Sequence, residues 1–255
     1  MQTQCQLDAL QLIYQDESIV AIHKPAGLLV HRSPIDKHET QFAVQMTRDL
    51  IGQAVFPAHR LDKATSGLLL FALDSDSARD LGRQFSDHTL RKTYLALCRG
   101  WTQEYGMINK PLLYKKDKYG DRNKQEPSEP QAALTEYNTL AQGSLNIPLG
   151  KFPQQRYSLL QLQPQTGRKH QIRRHLNGIS HPIIGDVSYG DRHHNHLFND
   201  WRGYHRLYLA ATSLEFTHPQ SGQPMIINAP LQNDFHQTLS ALNLASAVPE
   251  PSQPQ

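Results

Sequence analysis

Short apolar runs separated by polar turns dominate the chain, and they predict more strands than helices. The runs at 13–14 and 19–22 flank the polar residues 15–17, which predicts an opening hairpin. The run at 68–73 is short enough for a buried core strand. Four further strands are predicted, at 91–98, 156–163, 207–216 and 225–229.

Periodic apolar positions predict helices between these strands. One helix is expected at 43–50, stopped by Gly52, and another after Asp74 or Ser75, either of which suits an N-cap. A third helix is expected at 168–176, after a Thr-Gly pair. Because strands outnumber helices without regular βαβ alternation, the pattern favours an α+β fold with a mixed, mainly antiparallel sheet and flanking helices.

Composition points to a water-soluble protein. The chain has 255 residues, 38% of them hydrophobic, enough for one large domain or two smaller domains packed together. Its longest apolar run, at 68–73, is far too short to span a bilayer, and its N-terminal residues show no secretion signal. Cys5 and Cys98 lack CxxC spacing, so we expect no disulfide framework, no structural zinc site and a cytoplasmic location.

Positive charge is unevenly distributed, although the net charge is only +3. Residues 137–185 contain no Asp or Glu, but they carry the fixed cations Lys151, Arg156, Arg168, Lys169, Arg173 and Arg174. Such a segment suits a polyanion, although a merely acid-poor, Gln-rich segment would look the same. Residues 110–130 are basic and polar, which predicts an exposed insertion or loop.

Three histidines lie close together in the chain, at His193, His194 and His196. Such a cluster could bind a metal ion. It has no carboxylate or cysteine partner at ligand spacing, so it is interpreted as a solvated loop.

The segment HRLDKATSG, at 59–67, places a carboxylate just before the apolar run at 68–73. Asp62 lies between cations, and residues 65–67 predict a tight polar turn. A carboxylate held at the start of a rigid strand is well placed for catalysis. In a simpler interpretation, Asp62 caps a turn and pairs with Arg60.

Four other segments accompany it: KPAGL at 24–28, RKTYLA at 91–96, TGRKHQIRRHL at 166–176 and HPIIGDVSYG at 181–190. Together they resemble the signature segments of the RluA-type pseudouridine synthase family, over roughly residues 12–230. The resemblance implies the catalytic fold of that family, with a central catalytic cleft in a domain spanning 12–235. Before this domain we expect an N-terminal extension (1–11) and no separate RNA-binding domain. After it, composition predicts a C-terminal helix end followed by a disordered Pro/Gln/Ser tail (236–255).

The resemblance assigns roles to the residues at matching positions. Asp62 corresponds to the catalytic aspartate, and Arg173 to the arginine that pairs with it. Tyr94 corresponds to the tyrosine that stacks on the target base and is proposed to remove its proton. Arg60 corresponds to a residue that fills the gap left by the extruded nucleotide. The other expected RNA contacts are Arg168, Lys169, His170 and Arg174, and neither a metal nor an organic cofactor is implied.

These residue types suit the reaction, in which the N-glycosidic bond of uridine breaks and C5 of the turned uracil bonds to ribose C1′. An ionised Asp62 can form a covalent intermediate or stabilise a sugar-centred cation, and attack at C1′, attack at C6 and a glycal route all stay open. Arg173 would favour the ionised carboxylate and orient it through a planar fork. Tyr94 offers a π-face and a hydroxyl.

The substrate is expected to be RNA, because the target base must be flipped out of a stack into the site. The motif HRS at 31–33, the basic segment at 110–130 and Tyr157 after Arg156 resemble the tRNA-modifying members of the family. That resemblance implies uridine 65 of the tRNA T-stem, and we expect a monomer. The alternatives are 23S ribosomal RNA as the substrate, or a non-catalytic RNA-binding protein on the same fold. A carboxylate hydrolase is least favoured, on the expectation that the signature segments hold no second acidic residue to share the acid/base work.

Overall fold

The computed structural model describes residues 10–32, 39–114 and 129–250. Most of the predicted N-terminal extension, the middle of the basic segment 110–130 and the end of the predicted tail lie outside these residues. The predicted domain boundaries therefore stay predictions.

Within the described residues, a ten-stranded sheet forms the body of the protein. Its strands are β1 (Gln11–Gln15), β2 (Ile19–Lys24), β3 (Phe56–Pro57), β4 (Ser66–Ala72), β5 (Arg91–Arg99), β6 (Tyr105–Asn109), β7 (Leu134–Leu145), β8 (Gln155–Pro164), β9 (Leu209–Thr217) and β10 (Pro224–Asn228). Their order is β1-β2-β4-β9-β5-β8-β7-β6, with β3 beside β4 and β10 beside β9. The strands pair antiparallel except β4 and β9, which are parallel. This confirms the predicted mixed, mainly antiparallel sheet.

The helices flank this sheet: α1 (Ala43–Ile51), α2 (Ser75–Ser86), α3 (Gln171–Gly178), α4 (Arg192–Arg202) and α5 (Asn233–Ala241). The predicted end of α1 and the predicted start of α2 are confirmed. Gly52 adopts the left-handed conformation (φ 73°) that ends α1, and the Asp74 side chain accepts hydrogen bonds from two backbone N–H groups at the start of α2. No helix in the described part of the chain is long and apolar enough to cross a membrane.

Three local predictions are wrong. The predicted third helix, α3, begins at Gln171 and not at 168, because His170 takes a left-handed backbone conformation with φ 54°. The turn before β4 lies at 62–65, where the Thr65 N–H donates to the Asp62 carbonyl, so residues 66 and 67 already belong to β4. The His193–His196 cluster lies on α4 and not in a loop, because Asp191 caps that helix.

The core of the protein consists of three apolar clusters around the sheet. One packs α1 and α2 on β2 and β4, one packs α4 and α5 on β8, and the third lies between α3 and strands β5 and β8. Strand β9 lies between β4 and β5 at the middle of the sheet. Residues just before β4 and on β5 are therefore brought close together, although they are far apart in the chain.

Candidate active site

The loop that carries Asp62 is fixed by the strand that follows it. Strand β4 is buried over its whole length, and its Ser66 and Gly67 pair with β9. A Cβ atom on Gly67 would lie 2.0 Å from the carbonyl oxygen of Ala211, and φ is 105° at this glycine. Only glycine permits this close parallel approach, which sets the position of the loop.

A buried lysine joins this loop to the KPAGL segment. The ammonium group of Lys24, which is fully buried, donates hydrogen bonds to the carbonyl oxygens of Pro25 (2.9 Å), Leu28 (2.8 Å) and Lys63 (3.1 Å). Burial lowers the pKa of Lys24 to about 7, although the nearby Asp62 charge acts in the opposite direction. Lys24 of the KPAGL segment therefore holds the backbone of Lys63, the residue next to Asp62.

Arg173, on α3, lies between two carboxylates. Its Nη1 donates to Oδ2 of Asp62 at 3.1 Å, while Nε and Nη2 each donate to one oxygen of Asp186 at 2.8 Å. The Arg173 side chain is only 7% exposed, and that of Asp186 is completely buried. The bidentate pair with Asp186 thus fixes the guanidinium that meets Asp62.

Asp186 and Arg173 support each other's charge. Burial acts to raise the pKa of Asp186, but hydrogen bonds and charge from Arg173, together with the N–H groups of Ser188 and Tyr189, lower it overall. Burial acts to lower the pKa of Arg173, and the two carboxylates outweigh it, so that this pKa is raised. Both groups are therefore charged at neutral pH.

His170 and Tyr189 complete the surroundings of Asp62. Nε2 of His170 lies 3.7 Å from Oδ1 of Asp62, and its Nδ1 is 3.1 Å from the Tyr189 hydroxyl. The pKa of His170 is lowered, mainly by burial and against the attraction of Asp62, so the imidazole is neutral at neutral pH. The Arg173 guanidinium lies over the Tyr189 ring, 5.3 Å from its centroid.

Asp62, His170 and Arg173 line a cavity of about 490 Å³, which we call the main cavity. All three predicted catalytic residues, Asp62, Tyr94 and Arg173, line it. Of the predicted RNA contacts, Arg60, Arg168 and His170 line it as well. Lys169 and Arg174 lie on the same segment but do not line it. The volume is within the range of small-molecule sites.

Tyr94 reaches the main cavity from β5. Burial, and to a smaller extent the Asp62 charge, raises the pKa of its phenol. The hydroxyl is therefore protonated at neutral pH. Its aromatic ring is available for stacking in every state of protonation.

The prediction from sequence omitted three residues of the site. Asp186 lies within the HPIIGDVSYG segment at 181–190, yet its role follows only from its contacts with Arg173. The expectation that the signature segments hold no second acidic residue is therefore wrong. The other two, His59 and Lys92, line the main cavity. Burial lowers their pKa values, to about 3 for His59 and about 8 for Lys92.

His59 has a clear structural partner. Its Nε2 accepts a hydrogen bond from the N–H of Leu70 at 3.1 Å, and its ring stacks on Phe85 with centroids 4.9 Å apart. The imidazole is thus held in its neutral form, which joins the HRLD segment to β4 and α2.

The histidine cluster on α4 does not form a metal centre with its neighbours. Among the described residues, no three His, Cys, Asp or Glu side chains are grouped so that they could hold a metal ion. His194 is buried, and its Nδ1 lies 3.0 Å from the hydroxyl of Tyr157. His193 and His196 line a separate cavity beside Trp201.

Comparison with known proteins identifies the family of this chain. The RNA pseudouridylate synthase family matches residues 18–178. The chain is 48% identical to tRNA pseudouridine synthase C of Vibrio cholerae, over 91% of this chain and 95% of the relative. It is 45% identical to tRNA pseudouridine synthase C of Salmonella typhimurium, over 94% and 93% of the two chains. Its fold matches that of human RNA pseudouridylate synthase domain containing 4, with a TM-score of 0.69, 26% identity and coverage of 91% and 93%.

The match to the family extends over more than half of the chain and includes the Asp62 loop, Tyr94 and Arg173. The relatives above cover nearly all of it at more than 40% identity. The resemblance noted from the signature segments is thereby confirmed, and the chain belongs to the RNA pseudouridylate synthase family.

Proposed function

We propose that this protein converts uridine to pseudouridine in tRNA, at position 65 of the T-stem, with Asp62 as the nucleophile. The tRNA substrate is supported by the relatives, which are named tRNA pseudouridine synthase C. Position 65 rests on the resemblance of the loops at 31–33 and 110–130, and of Tyr157 after Arg156, to the tRNA-modifying members. A cytoplasmic location and a monomeric state accompany this proposal as predictions.

One observation carries the chemical part of the proposal. Arg173 is held along one edge by Asp186, through Nε and Nη2, and its Nη1 donates to Asp62 at the wall of the main cavity. The Asp62 carboxylate is oriented by this contact and is open to a ligand, since its side chain is 25% exposed. These are the properties that a nucleophile or a cation-stabilising group needs.

The reaction is an isomerisation, so its atoms balance without a co-reactant. The C1′–N1 bond breaks, the uracil turns, and a C1′–C5 bond forms. C5 then loses its proton and N1 gains one. Asp62 either bonds covalently during this sequence or stabilises the positive charge that develops on the ribose.

Tyr94 is proposed to hold the uracil while it turns, because it lines the same cavity as Asp62. Its phenol is protonated at neutral pH, so it can take the C5 proton only if its own proton leaves in the same step. Stacking has no such requirement. Arg60, Arg168 and His170 line the same cavity and are proposed to contact the RNA around the flipped nucleotide.

The test is to map pseudouridine after incubation with unmodified tRNA and 23S rRNA transcripts. Wild-type protein and the Asp62→Asn variant are compared on both RNAs. We expect a new pseudouridine at position 65 of the tRNA T-stem, present with wild type and absent with the variant.

The other outcomes are equally informative. A pseudouridine signal found only in rRNA would support the pseudouridine synthase activity and contradict the proposed tRNA substrate. Tight RNA binding without a signal in either RNA would favour the non-catalytic RNA-binding alternative. An equal signal from Asp62→Asn would remove Asp62 from the chemistry.

A further inference from the structure

A second cavity of about 490 Å³ lies next to the main one, and we call it the side cavity. Arg173 lines both cavities. The consecutive residues Asp62 and Lys63 line the main and the side cavity respectively. The two spaces are thus separated by little more than one guanidinium group and one loop, so a ligand that fills the first has the second beside it.

Most of the charge around the side cavity is already neutralised within the protein. Its two carboxylates are Asp186, which pairs with Arg173, and Asp234, which pairs with the buried Arg206. Lys63 also lines it and pairs with Glu39 at 3.0 Å, but both side chains are about 40% exposed. An ion pair this exposed contributes little stability, so a phosphate can replace Glu39 at little cost.

The remaining polar lining consists mainly of amides from the start of α5. Asn233 and Gln237 are four residues apart, so they share one face of the helix, and both are exposed. Gln232 precedes them, and its Oε1 accepts a hydrogen bond from the N–H of Ala26 at 3.1 Å. Its amide nitrogen keeps two donors for a ligand. Amides carry both donors and acceptors, as the edges of nucleobases do.

The side cavity also has an apolar surface. Val187, which follows Asp186 directly, is 78% exposed, far more than a β-branched side chain usually is. An exposed apolar side chain beside amides suits a flat aromatic ring, which presents an apolar face and a polar edge.

We propose that the side cavity binds the base of a nucleotide adjacent to the target uridine in the RNA chain. Asn233 and Gln237 contact the edge of this base, Val187 contacts its face, and Lys63 meets the phosphate between the two nucleotides. The proposal rests on the proposed function only in requiring an RNA substrate. It makes this cavity a determinant of which uridine is modified.

The experiment compares the double variant Asn233→Ala/Gln237→Ala with wild type on short RNAs that contain the modified site. Each neighbour of the target uridine is replaced in turn by an abasic ribose, which keeps the phosphate and removes the base. The matched control is His236→Ala, an exposed residue of the same helix that does not line the side cavity. Unfolding midpoints show that the variants are folded.

We expect the double variant to lower kcat/KM by about tenfold on intact RNA, as loss of base-edge hydrogen bonds does. On one of the two abasic RNAs, the double variant and wild type should become equal. His236→Ala should match wild type throughout. A double variant as active as wild type on intact RNA would overturn the proposal, and so would an equal loss on intact RNA and on both abasic RNAs.

The same RNAs are also compared by affinity in the Asp62→Asn background, so the result does not depend on turnover. If wild type modifies rRNA and not tRNA, the proposed substrate fails, and the abasic series is placed in the rRNA site. Loss of the variant effect on one abasic RNA would then still support the side cavity. If the effect of the double variant persisted on both abasic RNAs, the proposal for the side cavity would still be overturned.

Discussion

At the scale of single residues, Arg173 is the side chain on which the site depends. Its Nε and Nη2 bind Asp186 with two hydrogen bonds, and its Nη1 donates to Asp62. A lysine could supply the charge but not this fixed geometry, because an ammonium group has no planar fork. Removing one partner from such a buried ion pair typically costs about 3–5 kcal/mol. The contacts of Arg173 with Asp186 and Asp62 thus stabilise the fold and also orient the Asp62 carboxylate.

Tyr94→Phe separates the two roles proposed for Tyr94. The ring is kept and the hydroxyl is lost, so we expect RNA affinity within a few-fold of wild type. If the hydroxyl takes part in proton transfer, the single-turnover rate should fall by about 100-fold or more. Rapid mixing with saturating RNA measures this rate. A rate like that of wild type would assign Tyr94 to stacking alone.

His59 should make the fold sensitive to acid. Its folded pKa, about 3, lies below the ordinary value of 6.5. Between these values the unfolded chain binds more protons, so stability is fully present above pH 6.5 and falls as the pH decreases toward 3. Protonation would also remove the acceptor for the Leu70 N–H.

His59→Gln tests this, because glutamine can accept the same hydrogen bond without titrating. Between pH 7 and pH 5, we expect wild type to lose about 1–2 kcal/mol more unfolding free energy than the variant. Urea unfolding at the two pH values measures the difference. Equal losses would show that His59 is not the group responsible.

At the scale of elements, two loops must be held together for Asp62 to be in place. Lys24 ends β2 and donates to three carbonyl oxygens, one of them that of Lys63. The KPAGL segment at 24–28 therefore supports the HRLDKATSG segment at 59–67. It accounts for a lysine at a fully buried position, where lysine is otherwise rare.

Lys24→Met should therefore destabilise the protein strongly. Methionine has a similar length but leaves three carbonyl oxygens without their donor, at about 1–3 kcal/mol for each unsatisfied group. We expect the unfolding free energy to fall by at least about 3 kcal/mol. Thermal and urea unfolding measure it. The matched control is Lys63→Met, which removes an exposed ion pair and should cost less than about 1 kcal/mol.

Elements with strong local signals could be predicted from the sequence, and others could not. The buried strand β4 has a continuous apolar run, and α1 and α2 have clear end signals at Gly52 and Asp74. Strand β7 was not predicted, because it is half exposed and polar, with a glycine in its second half. Helix α4 was not predicted because its first half consists of polar residues and histidines.

At the scale of the whole molecule, the site exists only because distant segments meet. Asp62 and Arg173 are 111 residues apart in the chain. Motifs could name both residues, but their distance, and the role of Asp186 behind them, depend on how β4, β5 and α3 are arranged. The side cavity could not be predicted at all, because the residues that line it, apart from those in the signature segments, match no pattern.

The positive segment around α3 is expected to bind the RNA backbone. Lys169→Ala and Arg174→Ala should each weaken RNA binding and reduce the slope of log affinity against log salt by about one. Arg48→Ala, which removes an exposed arginine paired with Asp49 on α1, serves as the control and should leave the slope unchanged. Filter binding over a range of salt concentrations measures these slopes. Unchanged slopes for the α3 variants would show that these side chains do not meet phosphate.

The most direct test of the account is the rate of pseudouridine formation by Asp62→Asn on saturating RNA in a single turnover, with RNA affinity measured in parallel. Asparagine keeps the size and one acceptor but removes the charge that Arg173 is arranged to hold. We expect the rate to fall by at least about a thousandfold, while affinity stays within a few-fold of wild type. A rate close to that of wild type, or a loss of affinity as large as the loss of rate, would contradict the assignment of Asp62 as the catalytic group.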